Sequence, residues 1–143
     1  MMAISTRGRY ATRIMVLLAA QAERPPVNKF QIAEAEAISP GYVAQLMMAL
    51  RMAGLVNSHR GRVGGFSLAR SPETITVAHV LGAVEGSIMP APCREGGHCE
   101  RWITCPTRPL WEKAAGLLED LFSTTTIARL AIERPPQDER ATL

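Results

Sequence analysis

The 143-residue chain contains no apolar run that reaches the ~18 residues a membrane-spanning helix requires. It has only three cysteines, an odd and low number, so a disulfide framework is not available to it. At this length none is needed, because such a chain buries about two-thirds of the surface it would expose when unfolded. The sequence also lacks a redox C-x-x-C pair and a nucleotide-binding glycine loop, and His59, His79 and His98 fit no known catalytic arrangement. An enzyme such as a thiol oxidoreductase therefore finds no support. There is no internal repeat. With 47% hydrophobic and 20% charged residues, the chain is too apolar for disorder and suits one compact domain, or a small domain with an appended helix.

Arg7, Arg9 and Arg13 precede the apolar stretch Ile14 to Ala20 and so imitate a secretory signal, but that stretch is minimal for one and reads as a core helix. A cytoplasmic, reducing location is expected. Charge is unevenly spread: residues 1–70 carry a balance of +6 and residues 71–143 a balance of −3. A basic head joined to an acidic second function is one source of such asymmetry, and a solvated basic face is another.

Ala11, Ile14, Met15, Leu18 and Ala22 recur at helical spacing until Pro25-Pro26 forbids continuation. Asn28 can cap a short helix carrying Phe30, Ile32, Ala33 and Ala37. Ser39-Pro40 then supplies a cap and a first-turn proline for a third helix, which ends near Gly54. That helix places Val43, Leu46, Met47 and Leu50 inward and leaves Gly41, Ala44, Gln45, Met48 and Arg51 outward. Two extended runs, Leu55 to His59 and Gly65 to Ala69, flank Arg60-Gly61-Arg62-Val63-Gly64 and predict a basic hairpin. A further short helix is expected from Thr76 to Gly86. Residues 87–109 hold the cysteines among prolines and glycines and predict no regular element. Leu110, Ala114, Leu117, Leu118 and Leu121 then give a second strong helical stripe, with a shorter helix from Thr126 to Ile132.

This order predicts a mainly α fold with a small β-hairpin wing, a winged helix-turn-helix. The expected divisions are a head at 1–86, a cysteine-bearing loop at 87–109, a helical region at 110–132 and a disordered tail at 133–143. An α-helix with its side chains fits the DNA major groove, and a basic wing suits phosphates or the minor groove. Gln45 is the candidate base reader, since its amide can donate and accept in one plane. Gly41 and Ala44 offer close van der Waals approach, for example to a thymine methyl. Arg7, Arg9, Arg51, Arg60 and Arg62 are candidates for phosphate neutralisation, and Ser39 and Tyr42 join the set at the start of the third helix. Each residue alone could be ordinary solvated surface. Element order, wing chemistry and charge segregation together point to double-stranded DNA as the partner.

Cys93, Cys99 and Cys105 have five residues between each pair. This is not zinc-ribbon spacing, and flexible thiolates around a Gly96-Gly97 turn suit an iron-sulfur cluster, of the two-iron two-sulfur or four-iron four-sulfur type. Thiol redox sensing, zinc or unligated cysteines are the other readings of the same spacing.

Several segments together resemble the Rrf2 family of bacterial winged-helix regulators over about residues 3 to 132: Ser5-Thr6-Arg7-Gly8-Arg9-Tyr10-Ala11, Ile38-Ser39 with Tyr42 and Gln45-Leu46, Ala53-Gly54-Leu55-Val56, Arg60-Gly61 and Gly64-Gly65-Phe66-Ser67-Leu68. The initial Gly-Arg-Tyr-Ala is most similar to the iron-sulfur cluster regulator (IscR-like) branch. The resemblance implies a homodimer on a palindromic operator, with the long C-terminal helix crossing to the partner, which makes 110–132 the dimerisation helix region, and with Cys93, Cys99 and Cys105 ligating a cluster. It also marks departures. Where that branch has a histidine three residues after the third cysteine, this chain has Arg108, which has no lone pair to offer. The nitric-oxide-sensing (NsrR-like) branch takes an acidic ligand from the first helix, and the aligned position is Gly8 or Arg9. His98, Glu95, Glu100, a water or a small thiol remain as fourth-ligand candidates, His98 being strained by its adjacency to Cys99. The rival reading is a metal-free regulator controlled by thiol oxidation or a protein partner.

Overall fold

A computed structural model describes residues 4–86, 90–91 and 99–133. Its elements run α1 (Thr6–Ala20), α2 (Lys29–Glu36), α3 (Pro40–Met52), β1 (Val56–His59), β2 (Gly65–Leu68), α4 (Val77–Val84), α5 (Arg108–Thr124) and α6 (Ile127–Ile132). The helix starts are chemically determined. Asn28 and Gln31 form a reciprocal capping box at α2, and Ser39 caps α3 with Pro40 in the first turn. Thr76 and His79 form a second capping box at α4. Helix α1 stops at Ala20, so Ala22 is exposed beyond its end and takes no part in the stripe expected of it. Phe30 is likewise exposed on α2, with the Lys29 ammonium over its ring.

The two strands pair antiparallel, Val56 opposite Leu68 through His59 opposite Gly65. Each is one residue shorter at its outer end than the pattern suggests. Leu55 is held instead by α3, its amide donating to the Leu50 carbonyl at 3.0 Å across the positive-φ Gly54. The wing is pinned to the α1–α2 connection, where Val27 and Phe66 exchange backbone hydrogen bonds of 3.0 and 2.8 Å. Gly65 makes that approach possible, because a Cβ there would lie 2.5 Å from the Val27 carbonyl carbon.

One continuous core joins α1, α2, α3, α4 and β1 through Ile14, Met15, Ile32, Leu46, Leu50, Val56, Ile75 and Leu81. Ile127 of α6 is part of it, fully buried. Backbone bonds from Val77 to Thr125, Ile127 to Ile75 and Ala128 to Pro72 stitch α6 to the segment leading into α4. The shorter terminal helix thus completes the core of the head, although in sequence it follows α5. Helix α5 differs: of its residues only Ala115 is buried. No helix is long and apolar enough to cross a membrane among the described residues.

Candidate nucleic-acid interface and cysteine segment

Helix α3 presents Gly41, Gln45, Met48, Arg51 and Met52 to solvent, with Ala44 partly exposed beside them. The side chains recur three and four residues apart, so they form one continuous face. Arg60 and Arg62 are exposed on the wing, and Arg7 and Arg9 on the first turn of α1. Ser39 and Tyr42 are placed differently. The Ser39 hydroxyl accepts from the Tyr42 amide at 3.2 Å as the helix cap. The Tyr42 ring meets Tyr10 edge-on, with centroids 6.1 Å apart, and packs against the core.

That aromatic contact is part of a clamp that orients α3. The Arg13 guanidinium lies 5.1 Å from the Tyr10 ring centroid and pairs with the Glu36 carboxylate at 2.6 Å. Glu36 is a buried charged residue of α2, and the paired oxygen accepts no hydrogen bond of good geometry. Charge pairing with Arg13 is therefore what compensates its burial. The sequence alone gives no sign of this clamp, because Glu36 reads as solvated helix surface.

Among the cysteines, Cys93 lies outside the described residues, as do His98 and the Gly96-Gly97 turn. Cys99 is exposed and opens a turn in which the Trp102 amide donates to its carbonyl at 3.0 Å. Cys105 is half-buried just before α5. The Thr107 hydroxyl, 3.3 Å from its sulfur, holds its pKa below the usual thiol value, helped by the backbone amides of Thr107 and Arg108; burial pushes the other way and Arg101 adds a smaller lowering. A thiol whose anion is favoured is suited both to soft-metal ligation and to oxidation.

Arg108 is fully engaged. It donates to the Trp102 carbonyl at 2.9 Å, lies 4.6 Å from the Trp102 ring centroid and pairs with Glu112 at 3.3 Å. It thus fastens the Cys99–Trp102 turn to the first turn of α5. At the other end of the segment, Glu85 accepts a hydrogen bond from the Ser5 hydroxyl, and buried Gly8 leaves room for that carboxylate. Among the described residues no three His, Cys, Asp or Glu side chains are grouped to hold a metal ion.

Residues 4–133 match the family Rrf2, described as an iron-dependent transcriptional regulator. The chain belongs to the Rrf2 family. It is 34% identical over 129 residues to the HTH-type transcriptional regulator IscR of Vibrio vulnificus, covering 90% of this chain and 77% of that protein. Among solved structures, CymR, the global cysteine regulator of B. subtilis, superposes with a TM-score of 0.81 at 33% identity, covering 94% of this chain and all of that one. T. potens IscR superposes with a TM-score of 0.76 at 33% identity, covering 92% and 87%. As an Rrf2 protein, the chain is a DNA-binding transcriptional regulator of the winged-helix type and not an enzyme. In this Rrf2 chain the outward face of α3 carries a feature without polar readers, the exposed pair Met48 and Met52. Helical periodicity places Met48 outward, but only the packing of the wing shows what surrounds it.

Proposed function

We propose that the chain acts as a homodimer on a palindromic operator, and that the segment from Cys93 to Cys105 holds an iron-sulfur cluster whose state adjusts the dimer's fit to DNA. The observation that carries this is the state of α5. Leu110, Leu117 and Leu121, on one face, are 58, 63 and 56% exposed, so this stripe is not packed onto its own head. Such a contiguous apolar face on a soluble regulator is a partner surface. A groove of about 500 Å³ beside it, lined by Ile4, Leu81, Phe122 and Leu130 among others, extends the same apolar area.

Cys93, Cys99 and Cys105 are the residues that would hold the group, and the thiolate-favouring surroundings of Cys105 fit that role. A cluster held there would supply an iron with an exchangeable ligand, open to oxygen, nitric oxide or superoxide. Arg108 and Trp102 tie this segment to α5, so a change in the order of the loop shifts the partner helix and with it the spacing of the two α3 helices, which must match half-sites about one helical turn apart. Arg7, Arg9, Arg51, Arg60 and Arg62 neutralise phosphates, while Gly41, Ala44 and Gln45 approach base edges. Ser39 and Tyr42 set the start of α3.

Protein purified without oxygen should carry stoichiometric iron and sulfide and absorb visible light. Cys99→Ala should abolish the absorption and alter operator affinity; unchanged affinity in a colourless variant sinks the coupling. Replacing both Arg60 and Arg62 by alanine should weaken binding on the order of 100-fold at low salt and flatten the log affinity against log salt slope by about 2. A second reading, control by thiol oxidation without metal, is favoured by the same Cys105 environment and by the likeness to CymR. Colourless protein with reversible, DNA-linked thiol oxidation would establish it instead.

A further inference from the structure

Between the C-terminal half of α3 and the wing lies an open concavity of about 460 Å³. Ala44, Met48 and Met52, with buried Met47 behind them, form its α3 wall, Ser58 and Phe66 its wing wall, and Arg51 stands at its side. Met48 and Met52 are 65% and 84% exposed, so both side chains stand largely open to solvent. Methionine has no charge for phosphate and no amide for a base edge. Its unbranched, polarizable side chain is suited to filling irregular apolar gaps.

We propose that this concavity is a subsite for thymine methyl groups, with Met48 and the adjacent Ala44 as its specificity-determining contacts. The inference rests on the reading of α3 as the groove-entering helix and deepens it. Three observations select DNA over an apolar protein partner. The concavity continues the row formed by Gly41 and Gln45, since Met48 lies one turn beyond Ala44. Exposed Arg51 lines it, and the wing that forms its other wall carries exposed Arg60 and Arg62 at its turn, which suits a polyanion. It also opens between a helix fitted to the major groove and a wing fitted to the neighbouring backbone or minor groove, so a DNA strand must pass over it. The C5-methyl of thymine is the apolar group that unmodified bases present in the major groove, and it projects at the edge near its own strand.

The test begins with selection of a preferred duplex from a random-centre pool by the full-length chain. Each thymine of that duplex is then replaced by deoxyuridine, which removes the methyl and nothing else. A buried methyl is worth about fourfold in an equilibrium constant. At least one position per half-site should lose about that factor with the wild-type chain. With Met48→Ala the parent duplex should bind about as weakly as the deoxyuridine one, and the exchange should cost nothing further. Met48 is exposed, so the variant folds, which circular dichroism verifies. An equal deoxyuridine penalty in both proteins, or none in either, overturns the subsite while salt-dependent, sequence-selective binding leaves the groove-reading role of α3 standing. Failure to bind any duplex at low salt overturns both. If Met48→Ala changes the sedimentation mass and leaves the deoxyuridine penalty intact, the concavity belongs to a second copy and the subsite is likewise overturned.

Discussion

Replacing Arg13 by alanine is expected to lower the unfolding free energy by about 3 kcal/mol, a loss of roughly 10 °C in melting temperature for a domain of this size. The expectation follows from the asymmetry of the pair. The Glu36 side chain is 6% exposed and that of Arg13 56%, so truncating the arginine leaves a buried carboxylate facing an incomplete solvent shell. Removing one partner of a buried pair costs about 3–5 kcal/mol, and the exposure of Arg13 puts this case at the lower end. The change also frees the Tyr10 ring and, through it, Tyr42 at the first turn of α3. Operator affinity should therefore fall even at temperatures where the variant is folded. Urea unfolding should show a lower midpoint with an unchanged slope. Combining Arg13→Ala with Glu36→Leu should recover most of the stability, because the uncompensated charge is then gone. A double variant as unstable as the single one would contradict this account.

Gly65→Val should detach the wing. At this position φ is +149°, a conformation that side-chain-bearing residues rarely adopt, and a Cβ would meet Val27 and Asn28 backbone atoms at 2.5 to 2.7 Å. Backbone cannot rotate aside as a side chain can, so the Val27–Phe66 hydrogen bonds must break and the hairpin must lift. Strain and lost bonds together should cost about 3 kcal/mol. DNA affinity should drop about as far as in the Arg60→Ala, Arg62→Ala double variant, since both remove wing contacts. Gly41→Ala is the matched comparison: a Cβ there meets nothing within 4 Å, and in a helix alanine should leave stability equal or raise it by up to about 1 kcal/mol. Hydrogen exchange at Phe66 would register the detachment directly, and a protected Phe66 amide in Gly65→Val would refute it.

Much of the head is legible in the residues because its signals are local. Asn28, Ser39 and Thr76 satisfy amides within three residues of themselves, and prolines stop or start helices through their own rings. The inward face of α3 follows from periodicity alone, and Val43, Leu46, Met47 and Leu50 are all buried. Other features were hidden because they depend on what lies opposite. Glu36 is an ordinary helix-surface residue until α1 brings Arg13 to it. Tyr42 shares the exposed start of α3 in sequence, yet its ring is turned onto Tyr10. Arg108 reads as a missing ligand, whereas its place is to bind the Trp102 turn to α5.

Among the described residues, then, the order of elements, the side-chain caps of α1, α2, α3, α4 and α6 and the basic hairpin belong to the sequence itself, since each arises from interactions spanning a few residues. Tertiary structure alone decided that α6 closes the core while α5 keeps Leu110, Leu117 and Leu121 outside, and that the exposed Met48 and Met52 line a hollow beside the wing. An apolar stripe records that a helix must cover something, but which surface meets it depends on contacts between segments far apart in the chain, and these exist only once the whole chain has packed.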